Sequence, residues 1–202
     1  MILPGSLKTN RKAAALIARG GVIAFRTDTF YGLGVDPFNR DAVARIKQLK
    51  GREDHKPILI VISDREQVHR FINETSAAFN HLTRTFWPGA LTLVGRANAD
   101  VPKEITAGSD TVGVRLPNDE RVRALVEACG GALTATSANP SQAAPAGNAQ
   151  AVRKYFGDSI DLIIDDGEAK TDRPSTVVDV SGSKPVLIRE GVVPWGEIED
   201  EL

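Results

Sequence analysis

The chain has 202 residues, with 25 Lys+Arg against 26 Asp+Glu and a formal net charge of -1. Its 42% hydrophobic and 25% charged residues, with 18 Gly and 11 Pro, exclude disordered, collagen-like and membrane-embedded classes and predict one globular domain over residues 1–202. Near-neutral charge also removes the bulk attraction on which non-specific nucleic-acid binders rely, so any RNA contact must be local.

Helical periods alternate with short runs rich in Val, Ile and Leu, the pattern of an α/β domain. Lys8 to Arg19 reads as a helix closed by Gly20-Gly21, and Val22 to Phe25 as a buried strand. Asp41 to Lys50 is a second helix, with Val43, Ile46 and Leu49 on one stripe and Gly51 past its end. Pro57 opens a strand, Ile58 to Ile62, and Ser63-Asp64-Arg65-Glu66 has the spacing of a capping box with Ser63 as the cap, leading a helix through Phe71. A helix from Ser76 to Phe86 is stopped by Pro88-Gly89. Strands are then expected at Ala90 to Val94, Thr111 to Leu116 and Ala132 to Thr136, with a helix from Asp119 to Cys129 before the last of these. The final third gives a helix Asn148 to Phe156, a strand Ile160 to Ile164, and a hairpin of Thr176 to Val180 with Val186 to Arg189. Consecutive strands without an intervening helix favour a twisted mixed sheet with flanking helices over a purely parallel one.

The lone cysteine, Cys129, has no disulfide partner, and no zinc-ligand spacing is present. The apolar runs, Ile58 to Ile62 among them, fall far short of a membrane span. These features lead us to expect a cytoplasmic protein without membrane contact.

Standard phosphate loops are missing. Gly108 and Gly113 have P-loop glycine spacing, but Val114 stands where lysine is required, and Gly32-Leu33-Gly34 lacks the third glycine of a dinucleotide fingerprint. Lys50, Arg52 and Lys56 instead gather three cations at a helix end, as a triphosphate would require; the plainer alternative is a solvated cap at the negative end of the helix dipole. Thr27-Asp28-Thr29 follows one buried strand and Ser137-Ala138-Asn139 another, each exposing hydroxyl, carboxylate or amide groups at a strand end or simply forming a polar turn. Arg115 lies in an apolar strand and needs an anion, either a ligand or an internal Asp or Glu. His55, His69 and His81 are scattered, and no nucleophile elbow accompanies them.

In register, these motifs resemble the YrdC-like family, the threonylcarbamoyl-AMP synthases that begin formation of threonylcarbamoyl-adenosine in transfer RNA. The matching segments are Thr27-Asp28-Thr29 with Tyr31-Gly32-Leu33-Gly34, Lys50-x-Arg52 with Lys56-Pro57, Phe86-Trp87-Pro88-Gly89 with Leu91-Thr92, and Val114-Arg115. Ser137-Ala138-Asn139, Ser175 to Asp179, and Arg189 with Gly191 complete the pattern. The resemblance implies a concave basic cavity in which ATP, with magnesium, L-threonine and bicarbonate give threonylcarbamoyl-AMP and pyrophosphate. It implies that Lys50, Arg52, Ser137 and Asn139 are catalytic, that Lys50, Arg52, Lys56, Ser137 and Arg189 hold ATP, and that Thr29, Thr111, Arg115 and Ser175 hold threonine. Transfer RNA and the downstream threonylcarbamoyl transferase proteins follow as implied partners.

The chain departs from the family pattern where Gln142 follows Ser141, where Ala146 follows Pro145, and where Val61 and Ile62 occupy the region of a common histidine. One hydroxyl near the phosphates and one threonine contact are therefore expected to be missing. The competing class is an RNA-binding module built on the Arg45 to Lys56 patch. A net charge of -1 and the scattered 2 Trp, 2 Tyr and 7 Phe, without an RNP-type cluster, argue against it.

Overall fold

The computed structural model describes residues 1–51 and 56–202. Its first strand is β1 (Ile2–Pro4), followed by α1 (Leu7–Ile17), whose N-cap Ser6 side chain accepts from the Thr9 amide. A hairpin, β2 (Ile23–Arg26) and β3 (Tyr31–Gly34), leads to α2 (Arg40–Lys50). That helix ends where Gly51 adopts the left-handed conformation at φ 56°. Next come β4 (Ile60–Ile62), a 3-10 turn (Arg65–Arg70), α3 (Ala77–Phe86), β5 (Leu91–Arg96), the short α4 (Lys103–Thr106), and β6 (Thr111–Arg115). After α5 (Glu120–Ala128) come β7 (Ala132–Thr134) and β8 (Thr136–Ser137), then α6 (Ala149–Phe156) and β9 (Leu162–Asp165). The chain finishes with β10 (Thr176–Asp179), β11 (Val186–Arg189) and α7 (Trp195–Glu199).

The mixed α/β class expected from sequence is present, but the strands divide into two sheets. One has the order β1-β9-β2-β3-β8 and the other β11-β10-β5-β6-β4-β7. Each combines parallel and antiparallel neighbours: β2 runs parallel to β9 and antiparallel to β3, and β6 parallel to β4 and antiparallel to β5. The run expected as one strand, Ala132 to Thr136, is split between the sheets. Its first half pairs with β4, and its second with β3. Ala135 is the only residue between them, and its amide still donates to Leu59 O at 2.8 Å.

The capping box at Ser63 is not formed. Asp64 is the N-cap, accepting from the Glu66 and Gln67 amides, and Ser63 Oγ lies 2.7 Å from both Asp64 Oδ2 and Glu127 Oε2. A carboxylate is the stronger acceptor for amides at a helix start, and the turn it opens is 3-10 rather than α.

Two apolar clusters support the sheets. The smaller joins Ala13 and Ile17 of α1 with Val122, Leu125 and Val126 of α5, and packs both helices onto Ile23 and Leu162 of one sheet and Val61 and Leu133 of the other. This helix pair therefore fixes the sheets' relative position from one side, where burying each aliphatic side chain contributes about 1.5–3 kcal/mol. Cys129 packs against the same cluster, as a small hydrophobe would, and burial pushes its thiol up to about 12. No helix of the described residues is long and apolar enough to cross a membrane.

Candidate functional site: a basic cleft between the two sheets

A cleft of about 680 Å³, including its open mouth, runs between the sheets. Thr27, Thr29 and Phe30 enter it from the β2–β3 turn, Thr136 and Ser137 from β8, Thr92 from β5, Arg115 from the end of β6, Ser175 from just before β10, and Arg189 from the end of β11. Among the described residues its lining holds two guanidinium groups and several hydroxyls but no carboxylate. Strand ends meeting across a gap in this way converge polar groups that regular pairing would otherwise keep apart.

Arg115 is buried and has an internal counter-ion. Its NH2 lies 3.1 Å from Asp28 Oδ1, with the two side chains 6% and 8% exposed. Both NH1 and NH2 also lie 3.4 Å from Thr29 Oγ1. The sequence left open whether an internal acid or a ligand neutralises this arginine. The structure supplies the acid and still leaves the guanidinium on the cleft wall.

Arg189 is held by Ser175, whose carbonyl accepts from Nε at 3.3 Å and from NH2 at 2.9 Å. Desolvation, and then the charge of Arg115, pull its pKa below the usual guanidinium value. Two cations that repel one another across a cleft attract an anion between them. Ser175 Oγ is 3.0 Å from Thr92 Oγ1, placing a pair of buried hydroxyls beside the same space. Gly191 lies against this turn so closely that a Cβ there would run into Pro174 O and the Ser175 backbone.

Lys50, expected on ATP, is 3% exposed at the end of α2 and is turned toward the loop after β8. Its ammonium donates to the carbonyls of Ser137 and Asn139, the latter at 2.7 Å, and to Asn139 Oδ1 at 3.4 Å. Its own carbonyl accepts from the Ser141 amide at 2.7 Å. The Asn139 side chain donates to Pro140 O at 3.0 Å and Ala143 O at 2.6 Å. Lys50 and Asn139 thus fold the loop that delivers Ser137 to the cleft, and neither lines it.

Lys56 is exposed, one residue ahead of the cleft-lining Pro57, and Arg52 lies outside the described residues. Thr111 is not brought to the cleft. It sits at the opposite end of β6 from Arg115, four residues and about 13 Å away along the strand, with its hydroxyl 3.3 Å from Ser109 Oγ. Val61, in the region of the family's histidine, lines the cleft with an apolar surface, and Ala146 is buried outside the lining.

A second polar cluster borders the site. Asp119 caps α5 and binds Lys170 at 2.8 Å and Arg26 at 3.3 Å. Burial pushes its carboxyl up, but Lys170 and the amides of Arg121 and Val122 outweigh this and hold it below the usual carboxylate range. Tyr31 donates to Gly167 O at 2.8 Å, so the segment leading to Ser175 is tied at two points. Sequence reasoning missed these ties because Lys170 and Gly167 sit in a loop with no periodicity to mark which way they face.

Two guanidiniums and several hydroxyls between two mixed sheets define an α/β protein with a cationic, hydroxyl-lined cleft. The chain belongs to the Sua5/YciO/YrdC family, whose model, described as telomere recombination, matches residues 15–191. It is 40% identical over 189 residues to a threonylcarbamoyl-AMP synthase of Pyrococcus abyssi, covering 94% of this chain and 56% of that protein. It is 38% identical over 169 residues to a synthase of the same name from Halorhodospira halophila, covering 84% of this chain and 88% of that one. The crystal structure of P. abyssi Sua5 complexed with L-threonine matches all of this chain and 61% of its own, with 37% identity and a TM-score of 0.96. The chain thus spans little more than half of the Pyrococcus relative and most of the Halorhodospira one.

Proposed function

We propose that this chain joins ATP, L-threonine and bicarbonate into L-threonylcarbamoyladenylate and pyrophosphate, the activated intermediate for threonylcarbamoyl-adenosine in transfer RNA. One observation carries the reading: Arg115 and Arg189 face a shared hydroxyl-lined cleft in a fold that matches a threonine-bound relative. In this reading Arg115, Thr29 and Ser175 receive the amino acid, while Arg189 and Ser137 face the phosphates. Lys50 and Asn139 hold the Ser137 loop, and Arg52 and Lys56 supply further positive charge at the nucleotide.

The threonine amine takes up carbon dioxide from bicarbonate as an N-carboxylate, the bicarbonate hydroxyl and one amine proton leaving as water. One of its oxygens then attacks the α-phosphorus, and pyrophosphate leaves with the electron pair. Neither step requires a side-chain nucleophile. Acceleration comes from holding two mutually repelling anions in line and neutralising the leaving charge. Among the described residues the lining offers guanidinium and hydroxyl groups suited to phosphate and carboxylate oxygens, and magnesium would enter as the counter-ion of ATP. The cytoplasm, where ATP and transfer RNA meet, is the setting for this reaction, with threonylcarbamoyl transferase proteins as downstream partners and any transfer RNA contact local.

The test is pyrophosphate release by the purified protein without RNA, with the adenylate identified by mass spectrometry. Release should require ATP, threonine and bicarbonate together. Release that persists without threonine, or that appears only on adding transfer RNA, would overturn the reading.

A further inference from the structure

Asp28 is buried beside Arg115 and is not among the residues that line the cleft. One carboxylate oxygen, Oδ2, accepts from the Asn118 amide at 3.1 Å, tying the β2–β3 turn to the segment that follows β6. The other, Oδ1, lies 3.1 Å from Arg115 NH2, yet it is buried and receives no aligned hydrogen bond. The N–H groups of Arg115 point instead toward Thr29 Oγ1, at 3.4 Å from both terminal nitrogens. These are long contacts to a neutral hydroxyl on the cleft wall, weaker than a guanidinium makes with a carboxylate.

The arrangement gives Arg115 a counter-charge without occupying its fork. If Asp28 bonded the fork in bidentate fashion, the fork would be closed to a ligand. Without any counter-ion, the buried cation would face Arg189 unshielded. We propose that Asp28 is a positioning residue: it holds the Arg115 guanidinium at the angle at which its open edge meets the α-carboxylate of the amino-acid substrate. The inference rests on the synthase reading for the identity of that substrate.

The experiment uses calorimetric binding of L-threonine and of L-threoninamide, together with steady-state pyrophosphate release, on the wild type, Asp28→Asn and Asp28→Glu. Asp28→Asn keeps an acceptor for the Asn118 amide but removes the charge. It should weaken threonine binding and raise the threonine KM roughly tenfold, with the ATP KM unchanged. Asp28→Glu keeps the charge but reaches one methylene further, so it can engage the fork directly, and it should weaken threonine to a similar degree. Threoninamide has no carboxylate, so its affinity should be nearly the same for all three proteins. A purely structural role would weaken both ligands together or lower only the melting temperature, and that result overturns the proposal. So does unchanged or tighter threonine binding in both variants, and if Asp28→Asn does not fold, Asp28→Glu decides alone. A wild type that binds no threonine refutes the synthase reading as well, whereas normal wild-type binding with indifferent variants refutes only the role of Asp28.

Discussion

Replacing Lys50 with methionine separates the two roles open to this residue. Lys50 is 3% exposed, and among the described residues its ammonium serves the Ser137 and Asn139 carbonyls and Asn139 Oδ1. A hydrogen bond from a charged donor contributes about 1.5–3 kcal/mol, and a buried acceptor left without a donor costs about 1–3 kcal/mol. These contacts share one ammonium and the loop can relax, so their joint loss should be about 3–4 kcal/mol. For a chain of this size that corresponds to a fall of roughly 10 °C in melting temperature. Because the same contacts set the Ser137 loop, the ATP KM should rise along with the loss of stability. Thermal melting and ATP titration of the pyrophosphate-release assay measure the two effects on the same preparation. A variant that melts like the wild type but loses ATP-dependent turnover a hundredfold would refute the loop role and assign the ammonium to the phosphates.

Tyr31 gives a pH signature. Burial, partly offset by the hydrogen bond from the Asp166 amide, raises its phenol to about 12 from the usual 10. A group whose folded pKa is raised contributes stability that is complete below its unfolded value and is lost as pH climbs through the folded one. The wild type should therefore lose stability between about pH 10 and 12, while Tyr31→Phe, about 1 kcal/mol less stable at neutral pH, should be flatter across that window in chemical denaturation. Arg52→Ala should lower turnover by roughly a hundredfold if its guanidinium stabilises charge on the transferred phosphate. An early-melting Arg52→Ala protein with full activity per folded molecule would instead make it a helix-cap residue.

The strands and helices with strong periodicity were legible in the sequence; each of Thr29, Arg115, Ser137, Ser175 and Arg189 could be placed beside or at the end of an apolar run, but their convergence on one cleft was expected only from the family resemblance. β1 and α7 were not: three and five residues carry too little pattern to stand out from a loop. β3 was hidden by Gly32 and Gly34, which break the run of β-formers that marks a strand although the segment pairs fully with β2. Thr111 was drawn into the site by motif order, and the structure separates it because a straight strand carries its two ends apart. For Lys50 the burial was foreseeable from its place on a helix next to Ile46, but the direction of its ammonium depends on a loop that begins almost ninety positions later.

The crossing at Ala135 also sets a counting rule for the chain. Thr134 is locked opposite Ile60 in one sheet and Thr136 opposite Leu33 in the other. No turn lies between them to absorb a change in length. Adding or deleting a single residue here would exchange inward and outward positions along β8. Ser137 would then leave the cleft, and Lys50 would lose the carbonyls that it now joins. Loops elsewhere in the molecule can lengthen at the surface, but these three positions tolerate changes of side chain far better than changes of number.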